Sequence, residues 1–376
     1  MTALYPDLDP DGLLEYSVVY TDRALNHMSR TFQGVMKNIS RVLKTVYRAQ
    51  SAIVVPGSGT FGMEAVARQF ATGKKCLVIR NGWFSFRWTQ IFDMGSIPAA
   101  TTVLKARQSG AGGTRAPFAP PPIEEVVAAI RAERPEVVFA PHVETSAGMI
   151  LPPDYLRAVG SAVREVGGLF VLDCIASGAL WVDMAACQVD VLISAPQKGW
   201  SSSPCAGLVM LGERARARIE ATSSTSYACD LKKWLQIMEA YEGGGHAYHA
   251  TLPTDGLRRL EEMMAEAEAD GFERLREAQI ALGERIRALL VAKGFASVAA
   301  PGFQAPCVVV SYTDDAEIHS GKKFMAEGLQ IAAGVPLQCD EPADFKTFRI
   351  GLFGLDKLRK VERTVASFEH ALNRIA

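Results

Sequence analysis

The apolar positions of this chain follow two rhythms in turn. Over residues 25–47, Met28, Phe32, Val35, Met36, Ile39, Val42, Leu43 and Val46 recur at spacings of three and four, which predicts an amphipathic helix. Beyond it, short continuous apolar runs rich in β-branched residues alternate with helical stretches. Strands are predicted at 52–55, 75–79, 100–104, 136–140, 169–172, 189–194 and 207–211, with helices over 62–70, 123–132 and 153–166 among them. Runs without an exposed face, joined by helices, imply an α/β fold: a mostly parallel seven-stranded sheet covered by helices on both faces.

The texture changes near residue 257. A charged helix runs through Glu284 to Ala292, two apolar strands follow at 308–312 and 348–352, and a terminal helix spans 356–375. The expected organisation is an N-terminal arm (1–20), a large domain (21–256) and a smaller α+β domain (257–376). The Gly- and Pro-rich stretch 109–122 is read as a surface loop, because the strand–helix alternation resumes unchanged after it. No internal repeat is evident.

Bulk properties remove several function classes. A chain of 376 residues has room for both domains, and 48% hydrophobic with 22% charged residues describes an ordinary globular protein. The net charge is −1 and the basic residues are scattered, so neither nucleic acid nor an anionic membrane surface is an expected partner. No apolar stretch approaches the ~20 residues of a membrane span. Residues 1–7 show no charged segment leading into an apolar one, so no secretory leader is expected. The seven cysteines are odd in number, widely spaced and free of any C-x-x-C pair. That argues against a disulfide framework or a cysteine zinc site and fits a reducing cytoplasm. His246 and His249 lie near each other without a third ligand at suitable spacing, so no metal is expected.

Chemistry enters at four places. Residues 56–64, Pro-Gly-Ser-Gly-Thr-Phe-Gly-Met-Glu, follow a strand and open a helix, where free amides favour a phosphate. The stretch matches G-x-G-x-x-G formally. However, Arg80-Asn81-Gly82 stands where a dinucleotide site needs an acid, and no Gly-Lys-Ser/Thr follows. Asp173 closes a buried run at the carboxyl end of a strand, where open α/β sheets carry ligands, although a helix cap or surface acid is the plainer reading. Lys198 follows the next run among small residues rather than on a charged surface. A partly desolvated lysine has a lowered pKa and can hold an aldehyde cofactor as a Schiff base, while a buried acid keeps a pyridine nitrogen protonated. The pair therefore suggests pyridoxal 5'-phosphate. Arg349, between Phe348 and Ile350, presents a planar fork suited to a carboxylate.

Together these signals carry a resemblance. Ser58-Gly59-Thr60, Asn81-Gly82, Glu144-Thr145-Ser146-Ala147-Gly148, Asp173 with Ala176-Ser177, Gln197-Lys198, Tyr248-His249-Ala250-Thr251 and Arg349-Ile350-Gly351 occur in one order. The order resembles class V aminotransferases of the fold-type I pyridoxal-phosphate enzymes, most of all their alanine/serine–glyoxylate branch, from about residue 25 to the C-terminus. The resemblance implies that Lys198 forms the Schiff base and shuttles the substrate proton, with Asp173 at the pyridinium nitrogen. It implies Ser58, Gly59, Thr60 and Gln197 at the phosphate, Thr145 near the ring hydroxyl, and Arg349 on the substrate carboxylate. Tyr248 and Thr251 match positions that reach the phosphate of a neighbouring subunit, which implies a homodimer with shared sites.

Two positions depart from the family pattern. Where the family stacks a Trp on the ring, Phe84 aligns best, and Trp83 one position earlier is the other candidate. The usual Gly-Pro-Gly-Pro loop is replaced by residues 14–23, and Arg23 and Arg87 are possible extra anion contacts. The implied reaction moves an amino group from a small amino acid, of alanine or serine type, to a 2-oxo acid such as glyoxylate or pyruvate. The alternatives are an aminophosphonate–pyruvate aminotransferase and a class V lyase or desulfurase. For a desulfurase, Cys339 is the candidate sulfur acceptor, although an inert exposed thiol is the simpler view of it and Gln197 stands where desulfurases carry His. A silent regulatory member would need none of Asp173, Lys198 and Arg349. A dehydrogenase lacks its acid.

Overall fold

In a computed structural model, residues 4–110 and 113–375 are described; the first three residues of the arm and positions 111–112 of the Gly-rich loop lie outside them. All seven predicted runs form strands of a single sheet. Their order is Ser51–Pro56, Ala206–Leu211, Val191–Ser194, Leu169–Asp173, Val137–Pro141, Lys75–Arg80 and Ala100–Lys105. Ala206–Leu211 runs antiparallel to both neighbours, and every other pairing is parallel. The central strands are buried along their whole length, which is why their sequences carry no polar alternation.

This topology gathers the loops that matter. Pro56, Arg80, Pro141, Asp173 and Ser194 all close strands that point the same way. The segments after them leave the sheet at one carboxyl edge. Gly62 and Gly207 allow the helix Gly59–Phe70 to lie directly on its strand: a Cβ on Gly207 would fall 2.8 Å from Gly62 Cα and 2.8 Å from the Ser58 carbonyl oxygen. Any larger residue there would lift the glycine-rich turn off the sheet.

Element boundaries differ from the sequence reading in instructive ways. The first helix begins at Arg30 rather than at residue 25, because the Ser29 hydroxyl accepts from the Phe32 amide and caps it. The charged stretch after 257 is two helices, Thr254–Asp270 and Phe272–Ala292, parted at Gly271 with φ 88°. The terminal helix is also two, Leu355–Arg359 and Val361–Ile375. Thr254–Asp270 lies along Arg30–Tyr47, tied by Arg41–Glu268 at 2.7 Å and Asn38–Glu261 at 2.9 Å. A second, antiparallel sheet joins Val308–Tyr312, Thr347–Gly351 and the two-residue strand Ala332–Ala333.

Candidate active site

The site assembles where the carboxyl edge of the large sheet meets the small sheet. Asp173 is buried, and its Oδ1 accepts from the Ile175 amide at 2.9 Å. Burial pushes its carboxyl up to about 7, the Ile175 hydrogen bond opposing it and Glu144 adding to it. A carboxyl so placed favours a cationic N–H partner, which a pyridinium provides. Behind it, the His142 amide donates to the Asp173 carbonyl at 2.8 Å, and His142 Nδ1 lies 2.7 Å from Ser177 Oγ. Burial lowers the His142 pKa to about 4, so this imidazole is neutral at pH 7.

Lys198 is half-buried on the loop after Val191–Ser194, its Nζ 5.0 Å from the centre of the Phe353 ring. Burial lowers its pKa and the nearby Arg349 lowers it further, against a smaller opposing pull from Cys307 and Asp173. More of the amine is therefore free to attack an aldehyde than on an exposed lysine.

The glycine-rich turn has the form of an anion cradle. Gly57 takes φ 122°, which a side chain would resist, and Ser58 caps the following helix without a side-chain hydrogen bond. The first amide that bonds back is that of Gly62, to the Ser58 carbonyl, so the amides of the first turn face outward. A Cβ on Gly59 would lie 2.6 Å from Ile175 Cδ1 and 3.2 Å from Ala195 Cβ, which sets this turn against the loops that carry Asp173 and Lys198. The Thr60 hydroxyl accepts from Arg87 Nη1 at 3.0 Å, adding a guanidinium beside the cradle. Gln197 Oε1, next to Lys198, is buried without a hydrogen-bond partner in the protein.

Phe84 lies across the cleft. The Arg87 and Arg349 guanidiniums sit 5.2 and 5.7 Å from its ring centre, whereas the Trp83 ring pairs with Phe86 at 5.8 Å. Arg349 Nε donates to the Ala333 carbonyl at 2.8 Å, so the short third strand fixes the guanidinium. Thr145 is buried in the turn after Glu144.

Other predicted residues lie apart from this cluster. Tyr248 and Thr251 bond to each other at 3.1 Å, and Tyr248 is 55% exposed, its ring 5.6 Å from His27. The segment that replaces the Gly-Pro-Gly-Pro loop is tied down beside them. Glu15 accepts from Asn26 Nδ2 at 2.6 Å and from the Ser17 amide at 2.7 Å, and the Tyr20 hydroxyl donates to the Leu252 carbonyl. Arg23 stacks over Tyr5 within the arm. Cys339 corrects the sequence reading: the thiol is buried, not exposed, and donates to the Arg80 carbonyl at 3.4 Å. Burial pushes its pKa up to about 12, which disfavours a nucleophilic thiolate. Among the described residues no group of three or more His, Cys, Asp and Glu side chains is placed to hold a metal ion, and no helix is long and apolar enough to cross a membrane. The sequence reading gave no role to Phe353, one hydrophobe among many, or to Glu144, which it met only as part of the motif 144–148.

No protein-family model matches the chain. It is 27% identical over 94% of its length, and 90% of the relative's, to 2-aminoethylphosphonate–pyruvate transaminase 2 of Paraburkholderia xenovorans. It is 28% identical to alanine–glyoxylate aminotransferase 1 of Saccharomyces cerevisiae, over 64% of this chain and 62% of that one. Its homologues are class V aminotransferases of fold type I. The solved alanine–glyoxylate aminotransferase of Nostoc sp. superposes with a TM-score of 0.76 over 93% of this chain and 89% of its own, at 22% identity, which shows the shared fold. Aminotransferases of this family use pyridoxal phosphate. The cradle at Ser58 and the buried Asp173 fit that group in this chain.

Proposed function

We propose that the cleft binds pyridoxal phosphate at Lys198 and moves an amino group from a small amino acid, of alanine or serine type, to a 2-oxo acid such as glyoxylate or pyruvate. The observation that carries this reading is the meeting of Asp173, Lys198 and Arg349, from two sheets, in one half-buried cleft with Phe84 across it. Bound there, the cofactor supplies an electron-withdrawing ring that acidifies the substrate Cα–H.

The chain's own residues divide the remaining work. Ser58, Gly59, Thr60 and Gln197 hold the phosphate, assisted by Arg87 through Thr60. Asp173 would keep the ring nitrogen protonated, Thr145 would serve the ring hydroxyl, and Phe84 would cover the ring. Lys198 Nζ would hold the cofactor's aldehyde carbon and, when free, would carry the proton at the substrate Cα. Arg349 binds the substrate carboxylate in a fork already oriented by Ala333. The exposed Tyr248–Thr251 pair, with Tyr16 and Val18 exposed near it, suits a homodimer in which the pair reaches the other subunit's phosphate. The protein is proposed to act in the cytoplasm, with the small domain beginning near residue 257.

An aminophosphonate donor is the second reading, favoured by the Paraburkholderia relative, which matches this chain across most of its length. Rates of conversion of alanine, serine and 2-aminoethylphosphonate, each with pyruvate or glyoxylate, decide between the two. Alanine or serine is expected to lead; a phosphonate that outpaces both would reassign the donor. Sulfide release from cysteine tests the desulfurase alternative, and none is expected.

Arg349→Lys is expected to raise KM for the amino donor by about 10- to 100-fold with a smaller change in kcat, because a point charge replaces the fork. An unchanged KM would remove Arg349 from the carboxylate site.

A further inference from the structure

Glu144 is a charged residue with no exposed surface at all, and the proposed reaction gives it no direct part. Its carboxylate is nevertheless the most heavily bonded in the cleft. Oε1 accepts from the Phe84 amide at 3.2 Å, from the Ser146 amide at 3.1 Å and from the Ser146 hydroxyl at 2.7 Å. Oε2 accepts from the Ser85 amide at 2.9 Å and from the Ser85 hydroxyl at 2.8 Å. The amides of Phe84 and Ser85 belong to the first turn of the helix Trp83–Gly95, so the negative charge sits at that helix's positive end. The Ser146 hydroxyl, which donates to Glu144, also accepts from the Trp83 amide at 2.9 Å.

Backbone shape protects this arrangement. A Cβ on Gly82 would lie 2.1 Å from Ser146 Oγ and 2.7 Å from Glu144 Cγ, so only glycine admits the carboxylate so close to the helix start. Glu144 therefore clamps the residue that bears the Phe84 ring, and it does so from the position next to Thr145. Its charge also reaches the cleft, where it adds to the burial that raises the Asp173 pKa and opposes the burial that lowers that of Arg349.

We infer that Glu144 is a positioning residue for cofactor binding: through the Phe84 and Ser85 amides it fixes the Phe84 ring over the cofactor site and couples that platform to the Thr145 turn. The inference rests on the proposed reading that Phe84 covers the cofactor ring. The test is a double-mutant cycle on Glu144→Gln and Phe84→Ala, read by the dissociation constant of pyridoxal phosphate on dilution of holoenzyme and by the melting temperature of each protein. Glu144→Gln is expected to weaken cofactor retention at least about tenfold, comparable to one lost charge-assisted hydrogen bond. If Glu144 acts through Phe84, the double variant holds the cofactor nearly as well as Phe84→Ala alone, while the losses in melting temperature still add.

Additive losses in cofactor affinity, or unchanged affinity in Glu144→Gln, would overturn the inference. If Glu144→Gln does not fold, Ser85→Ala takes its place in the cycle with the same expectation, since it removes one donor to the carboxylate and keeps the charge. Failure of the parent reading looks different: wild type would bind no pyridoxal phosphate, or Phe84→Ala would retain it as wild type does.

Discussion

Lys198→Ala is expected to abolish amino transfer, with kcat lowered by about 10⁴-fold or more, and to remove the visible absorbance of a lysine-linked cofactor. The magnitude follows from the two tasks given to one atom. In the proposed reaction Nζ would hold the aldehyde carbon between turnovers and carry the Cα proton during them. The charge that acts on it most strongly is the Arg349 guanidinium, which cannot serve as a base at neutral pH. Because Lys198 is on a loop rather than in the core, the variant should fold and still bind pyridoxal phosphate through the Ser58 cradle. A variant with wild-type turnover would remove Lys198 from the mechanism.

The second large effect is expected at Asp173. Asp173→Asn keeps the shape but leaves no charge to hold a ring nitrogen protonated, so kcat/KM should fall by about 10³-fold while cofactor is retained. This residue also makes a pH prediction about the cofactor-free protein. Its folded pKa of about 7 stands above the ordinary value of 3.8, so the fold favours the neutral acid. Its contribution to stability is therefore complete below about pH 3.8 and is lost as pH rises through 7. The melting temperature of the cofactor-free protein, compared with that of Asp173→Asn across this window, should decline further in wild type. A bound pyridinium supplies the missing cation and should cancel the difference. Parallel curves for the two proteins would show that Asp173 does not titrate in this way.

Much of this architecture was legible in the amino-acid sequence, and the reasons are physical. The seven strands of the large sheet stand out because burial on both faces leaves them unbroken runs of apolar residues, as in Leu169–Asp173 and Val191–Ser194. Asp173 and Lys198 stand out as candidates because Asp173 closes such a run at a strand's carboxyl end and Lys198 follows the next among small residues. What stayed hidden depends on contacts between distant segments. Cys339 reads as a loop thiol until the fold lays it against the Arg80 carbonyl. Phe353 is one hydrophobe among many until its ring meets Lys198. Glu144 looks like a turn residue, since nothing in the sequence near it announces a helix start some sixty residues earlier (144 − 84 = 60). The strand Ala332–Ala333, which orients Arg349, is too short and too exposed to leave any periodic pattern. The exposed pair Tyr248–Thr251 is the reverse case, carried by the family resemblance, with no partner in the chain's own cleft to give it meaning.

The most direct test of the central claim is a half-reaction. Protein loaded with pyridoxal phosphate is mixed with L-alanine in the absence of any acceptor, and both the visible absorbance and released 2-oxo acid are followed. The account predicts loss of the absorbance with about one equivalent of pyruvate per subunit, and its return when glyoxylate is added, because the amino group waits on the enzyme between the two substrates. An unchanged spectrum with alanine, serine and 2-aminoethylphosphonate alike, and no 2-oxo product from any of them, would contradict it.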